Sequence, residues 1–511
     1  MLTPAADASD EAVFDIWKGV YRISYESVKV SSPESMGLMG VHYLVDVAPW
    51  LSAGVSGFGA ITGKRGGFFT GGLEVALRQR LYKSFDIEAG VFAGGGGGGG
   101  APQGGGMMLR PYAGILYDWG SSRAGVQYAR VDFPNGTITS DHFAFVFDIP
   151  FDLLLLHTGY DGELAPLPGR ASRAAEKEAG FVRDSFTVIY QKYFPAAGTK
   201  NTDLRTRTKN FDTLGLEYAR HYNDRYSLVA EAAGAVAGES EGYAELFIGA
   251  GYRRALSEAG RKRLFLDFHA AAGTAGGGGV DTGGGFALKT SLGLKYFIGP
   301  DLSTGLAGAY VAAPGGSFRA PAASFDITYL ADFLSLEGKR FSPNPSDTLS
   351  LDTWEAGYSH QTYRTHDPRV RKSASDAPVS LMGLKLRKAL SPSLSLTGQA
   401  WGAYDGGAGG YAVGLLGMRL TSGPVLVEWL RFFAELSAGG AGGGGIPVQG
   451  GAVLQGMTGL SLDLTRSLGM EVSYGKIEAI NGILESAIVE AGLVYRFSTL
   501  CRKITWENSA R

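Results

Sequence analysis

The chain has 511 residues, a net charge of −2, 78 glycines and 19% charged residues, against roughly 25% charged in soluble globular proteins. That balance gives no electrostatic reason to expect nucleic acid as a partner. The lone Cys501 excludes an intrachain disulfide framework and a Cys-rich metal site, and no run reaches the ~18 apolar residues of a transmembrane helix.

The first eleven residues, Met1 to Glu11, have neither a basic head nor an apolar core, so they are not a secretory signal. The expectation is that such a signal has been removed, because the remainder of the chain reads as barrel. From Gly40 to Val47 apolar side chains recur at every second residue (Val41, Tyr43, Val45, Val47), and again from Leu73 to Leu81. A period of two means strands with one apolar and one more polar face. Segments of about ten such residues between turns are the pattern of a transmembrane β-barrel. Leu73, Val75 and Leu77 are then expected to face lipid, and Arg is expected to be tolerated at Ala76.

A Gly-rich hairpin next appears, and recurs twice: Gly97 to Gly106, Gly276 to Gly285 and Gly442 to Gly451. Matching flanks follow at Leu109 and Gly114, Leu288 and Gly293, Leu454 and Gly459. A second anchor, Met39-Gly40, Leu214-Gly215 and Met382-Gly383, repeats at nearly the same period. Two independent anchors at one period define an internal repeat. Eight strands per unit give an all-β transmembrane antiparallel β-barrel of about 24 strands in three tandem eight-stranded repeats. The predicted divisions are an N-terminal extension (1–12), repeat 1 (13–162), a linker (163–184), repeat 2 (185–334), a linker (335–351), repeat 3 (352–498) and a tail (499–511). A short surface helix is predicted from Arg170 to Asp184. Aromatics at the short-turn side (Trp50, Tyr82, Trp119, Tyr222, Tyr226, Phe297) suit one interfacial girdle.

One 24-stranded barrel and three separate eight-stranded barrels both fit this pattern. Small residues at inward positions (Ser52, Gly54, Ser56, Ser395, Thr397, Ala403) favour one wide lumen. So does the differing chemistry at the matched lumen-facing positions His42, Glu217 and Lys385. In one barrel the termini would pair near Tyr21 and Tyr495, and the eighth strand of unit one would pair with the first of unit two.

Near the C-terminus, Glu490-Ala491-Gly492-Leu493-Val494-Tyr495-Arg496-Phe497 resembles the assembly signal of Gram-negative bacterial outer-membrane β-barrel proteins. The resemblance implies the bacterial outer membrane, the lipid bilayer as surroundings, and insertion by the barrel-assembly machinery. It departs from that class in the tail after Phe497.

No catalytic constellation, metal site or cofactor motif emerges. Asp141-His142 are adjacent on a strand and so point to opposite faces, while His360, His366 and Asp367 are the one set considered for a metal. The Gly runs lack the helix a dinucleotide fingerprint needs. Strand Gly costs roughly 0.5–1 kcal/mol against Ala, so these hairpins are either flexible loops or places where another chain meets bare backbone. Gly97, Gly98, Gly276, Gly277, Gly442 and Gly443 are therefore the candidate ligand or partner contacts, forming a pseudo-threefold collar. The sequence points to a non-enzymatic outer-membrane pore or export conduit, porin-like or for a secreted polymer or protein. The alternative is a plugged structural or docking barrel for a periplasmic partner, a lipoprotein or a cytochrome.

Overall fold

The computed structural model describes residues 14–156, 180–256, 263–335, 349–364 and 378–506. Their named elements are 24 antiparallel strands. The first eight are β1 Phe14–Lys29, β2 Ser35–Ala48, β3 Leu51–Thr62, β4 Phe68–Tyr82, β5 Phe85–Gly98, β6 Met108–Asp118, β7 Arg123–Asp132 and β8 Thr139–Leu156. The second eight are β9 Gly180–Tyr193, β10 Phe211–His221, β11 Tyr226–Gly238, β12 Ala244–Ala255, β13 Leu264–Gly276, β14 Phe286–Phe297, β15 Leu302–Ala312 and β16 Arg319–Ser335. The third eight are β17 Leu349–Arg364, β18 Val379–Ser391, β19 Leu394–Asp405, β20 Ala412–Val425, β21 Val427–Gly442, β22 Ala452–Asp463, β23 Leu468–Ala479 and β24 Glu485–Arg502.

Consecutive strands pair as hairpins within each set, and each set then closes on itself. β1 pairs with β8 from Phe14↔Leu156 to Glu26↔Ala144. β9 pairs with β16 from Gly180↔Ser335 to Tyr193↔Ala322, and β17 with β24 from Leu349↔Arg502 to Arg364↔Ala487. The expectation of one large barrel is therefore corrected: the chain forms three eight-stranded rings, here barrels 1, 2 and 3. Tyr21 and Tyr495 lie on strands closed against β8 and β17, not against each other.

The predicted divisions shift accordingly. Gly180–Asp184 and Leu349–Leu351 are strand rather than linker, and Thr499–Arg502 extends β24 rather than starting a free tail. The helix predicted from Arg170 to Asp184 is strand over its last five residues, and its remainder lies outside the described residues. Phe297 leaves the girdle and is buried, whereas Trp50, Tyr82, Trp119, Tyr222 and Tyr226 are exposed near the short turns.

Every barrel has two distinct ends. Within each barrel, connections after even strands are mostly short, as at Pro49–Trp50 and Lys83–Ser84, and share their end with the chain termini. Connections after odd strands form the loop end and include the Gly-rich hairpins between β5 and β6, β13 and β14, and β21 and β22. The barrel walls invert the usual globular arrangement. Val75, Leu77, Ile115, Phe143, Leu292, Leu306, Leu396 and Leu436 are exposed, while Arg22, Glu74, Arg110, Glu217, Lys289, Lys385, Arg387 and Glu471 are buried. Ala76, expected to tolerate Arg, is fully buried against Tyr112 and Ala129.

Candidate functional site

In an eight-stranded ring, β1 and β5 are on opposite sides, so an ion pair between them crosses the lumen. Arg22 on β1 donates to Glu88 on β5 at 2.6 Å and to Asp148 on β8 at 2.6 Å. His42 lies beside this pair, its Nδ1 2.6 Å from Glu74, which also accepts from Ser56 at 2.6 Å and Tyr112 at 2.6 Å. Arg110 on β6 reaches Glu26 on β1 at 2.8 Å. In barrel 2, Glu217 meets His269 at 3.1 Å and Lys289 meets Glu231 at 2.5 Å. In barrel 3, Lys385 meets Glu490 at 2.6 Å, and Arg387 meets Glu471 at 2.6 Å and Glu355 at 3.0 Å.

His42, Glu217 and Lys385 thus each sit buried in a separate network. Their differing chemistry reflects three solutions to one need, since each has a partner on another strand inside its own barrel. The small inward residues make room for these long charged side chains, as Ser56 does for Glu74. Buried charges of this kind persist only when paired and hydrogen-bonded. A cavity of about 40 Å³ remains in barrel 2, among Glu217, His269, Lys289 and Lys295. That is space for little more than water.

Barrel 2 is also covered at both ends. At the loop end, residues 194–210 fold over the mouth. Thr202 N donates to Gly279 O at 2.8 Å, Lys200 N to Ser317 Oγ at 2.9 Å, and Arg207 to Asn201 at 2.9 Å. At the terminus end the segment after Phe497 enters the mouth. Arg502 donates to Asp332 at 2.6 Å, Arg183 reaches the same carboxylate at 2.7 Å, and Ile504 packs with Phe265, Phe297 and Leu330. This explains why Phe297 is buried. Ile504 and Trp506, apolar residues of the tail that follows Phe497, carry the sequence signal for this.

The Gly hairpins are ordered, and each meets a loop of the next barrel. A Cβ at Gly67 would collide with the backbone of Gly276 and Gly277; one at Gly242 would stand 2.8 Å from Gly443 N; one at Gly410 would stand 2.8 Å from Gly98 N. Barrel 1 therefore docks on the hairpin of barrel 2, barrel 2 on that of barrel 3, and barrel 3 on that of barrel 1. Backbone hydrogen bonds accompany the approach: Gly66 N to Gly283 O at 3.0 Å and Gly410 N to Gly96 O at 2.9 Å. Below the hairpins the facing walls are small, with Gly59 against Thr274, Gly95 against Gly402, and Gly440 against Ala235 and Val236. Small residues let the walls approach closely.

Gly97, Gly98, Gly276, Gly277, Gly442 and Gly443 thus lie against neighbouring barrels of the same chain. The three docking glycines were not recognised in the sequence. Gly67-Phe68, Gly242-Tyr243 and Gly410-Tyr411 nevertheless share the 175- and 168-residue spacing of the Gly40, Gly215 and Gly383 anchor. Their aromatic neighbours are all buried. At these positions φ is +86°, +83° and +90°, a region that favours glycine.

Asp141 is half exposed toward Arg130 while His142 faces Glu26, so the adjacent pair points apart. His360 bonds Thr362 and Tyr404; His366 and Asp367 lie outside the described residues. Among the described residues no group of three or more His, Cys, Asp or Glu is placed to hold a metal.

No family model matches the chain. No curated protein matches it. Among solved structures, it is similar to the ferric enterobactin receptor PfeA of Pseudomonas aeruginosa at 12% identity and TM-score 0.26, over 94% of this chain and 81% of that one. The siderophore receptor PirA of the same organism gives 10% and 0.26, over 94% and 80%. OccAB3 of Acinetobacter baumannii gives 10% and 0.23, over 94% and 99%. TM-scores of this size carry no argument about what the chain does.

Proposed function

We propose that this chain is an outer-membrane protein of three fused, closed β-barrels, acting as a plugged structural or docking scaffold rather than through an open lumen. The observation that carries the reading is the inversion of the walls, with exposed Leu, Val, Ile and Phe outside and paired Arg, Lys, Glu and Asp inside. Water would penalise that exterior across many hundreds of Å², whereas a bilayer would not. The cross-lumen ion pairs and the covers over barrel 2 support closure, and so favour the plugged alternative over a porin or a secretion conduit. The Glu490-to-Phe497 pattern supports insertion by the barrel-assembly machinery, and the loop-end surface is where a lipoprotein or other partner would dock.

The test is conductance of the purified full chain in planar bilayers. The expected record is silent, with the protein still floating with vesicles after carbonate washing. Steady nanosiemens steps would overturn the closed-lumen reading; loss from the vesicles would overturn the membrane reading.

A further inference from the structure

The outer wall of barrel 1 carries an apolar furrow of about 890 Å³ that runs across β4 to β8. Its floor is made by Ala89 and Ala113, and its sides by Leu77, Ile115, Tyr128 and Phe143. At the places matching Ala89 and Ala113, counted from Gly97 and Gly114, barrel 2 carries Phe268 and Leu292, both exposed. Barrel 3 carries the small Ala434 and Thr458 there, so bulky side chains fill the matching floor in barrel 2 alone. Gly59 and Gly95, which approach the other barrels, lie toward the loop end of β3 and β5, whereas the furrow lies toward the short turns. One end opens beside Trp50 and Gln79 near the short turns. Four residues beyond Gln79, Lys83 sits at the tip of the β4–β5 turn, over the Tyr82 ring at 5.0 Å, and makes no ion pair with the described residues.

We propose that this furrow is a phospholipid site, holding acyl chain along Ala89 and Ala113 with the phosphate toward Lys83 and Trp50. The inference rests on the membrane reading above and goes beyond it. An apolar channel suits a hydrocarbon chain, because burial of its methylene groups stabilises in proportion to area. The amphipathic Trp50 indole at one end, with the Lys83 ammonium on the turn beyond it, matches a headgroup. A smooth wall exchanges its lipids freely; a furrow with ring and aliphatic sides holds one.

Native mass spectrometry of the full chain, taken from vesicles of phosphatidylglycerol and phosphatidylethanolamine in equal parts, tests this. The expected result is one retained phospholipid, reduced at least tenfold in an A89F/A113L variant, which takes the side-chain types barrel 2 carries at those places. K83A should abolish any preference for phosphatidylglycerol while leaving retention. Equal retention by wild type and A89F/A113L, or no retention by wild type while it still floats with vesicles, would overturn the site. Failure of both chains to float would instead sink the membrane reading beneath it.

Discussion

The loop ends of the three barrels meet through one contact made three times, whereas their terminus ends share a contact at two seams and use a different one at the third. At the loop end Gly67, Gly242 and Gly410 each dock on a Gly hairpin of the next barrel. At the terminus end, Arg220, paired with Asp184, lies over Tyr21 of barrel 1, and Lys388, paired with Asp352, lies over Tyr329 of barrel 2. The matching position in barrel 1 is Val45, and the third seam uses stacking of Trp17 on Tyr495 at 5.4 Å. A repeated sequence can write a repeated contact, and a head-to-tail contact repeated three times closes a ring. The terminus end carries the links and a single C-terminal segment, which covers only barrel 2.

Breaking the repeated contact should have the largest effect. Leu at Gly67, Gly242 and Gly410 together would press side chains into facing backbone and strain a positive φ at each. Crosslinking of N135C to D405C reports the loop-end seam of barrels 1 and 3, where Asn135 Nδ2 is 3.3 Å from Asp405 Oδ1. In a Cys501→Ser background the triple variant should lose nearly all of this crosslink, while a W17C/Y495C pair at the terminus end keeps its yield. Gly198→Leu is the control, since φ is +90° there and nothing stands within 4 Å of an added Cβ. Loss of both crosslinks would make the two ends one cooperative unit and erase the comparison.

The terminus end has its own weak point. Asp332 holds Arg183 and Arg502 together, all three buried. Asp332→Ala would leave two guanidinium groups without their shared carboxylate and should destabilise barrel 2 by about 3–5 kcal/mol, measured by urea unfolding in micelles. Cys501, buried beside Arg502, should then react with maleimide well above the wild-type rate. An unreactive Cys501 in Asp332→Ala would mean the C-terminal segment is held by Ile504 and its apolar neighbours instead.

Between the ends the wall should answer to lipid alone. Val75→Arg should cost roughly 2–4 kcal/mol near the midplane and leave both crosslinks intact. Ala76→Leu, one residue along, should cost roughly 1–3 kcal/mol by overpacking the lumen. Equal, negligible costs at the two positions would remove the distinction between wall and lumen.

Strand content, the three units and the repeated Gly hairpins were legible because each leaves a periodic trace: alternation of two in Val41 to Val47, and fixed spacing between Gly97, Gly276 and Gly442. Closure was not. Whether β8 pairs with β1 or with β9 depends on how lumen volume is filled, and that depends on side chains contributed from opposite strands. Ser56 reads as empty space in the sequence and as the complement of Glu74 in the fold. Likewise, His42, Glu217 and Lys385 look unrelated until Glu74, His269 and Glu490 appear beside them in the lumen. What the hairpins touch was open for a similar reason, since the docking glycines sit in the adjoining barrel and only the fold brings them together.

The smallest expected effect concerns one barrel's loop end. Arg65, just before Gly66 and Gly67, donates to Glu34 at 2.7 and 2.8 Å and to Gly100 O at 2.5 Å, tying the docking loop of barrel 1 to its own Gly hairpin. Barrels 2 and 3 carry Ser240 and Ala408 at the matching position, so this brace is peculiar to barrel 1. The hydrogen bond from Arg65 holds the Glu34 carboxyl below its usual value. A carboxylate depressed in the folded state contributes stability that is present above the unfolded value and lost as pH falls through the folded one. The pair is partly exposed and screened by salt, so the contribution is small. Hydrogen exchange of residues 63–67, corrected for intrinsic rates, should therefore rise as pH drops from 7 toward 3 in the wild type. In Glu34→Gln it should start higher at pH 7 and stay flat, while the corresponding loops of barrels 2 and 3 do not change. A pH response that persists in Glu34→Gln would assign the titration to another group and leave Arg65 acting through the Gly100 carbonyl alone.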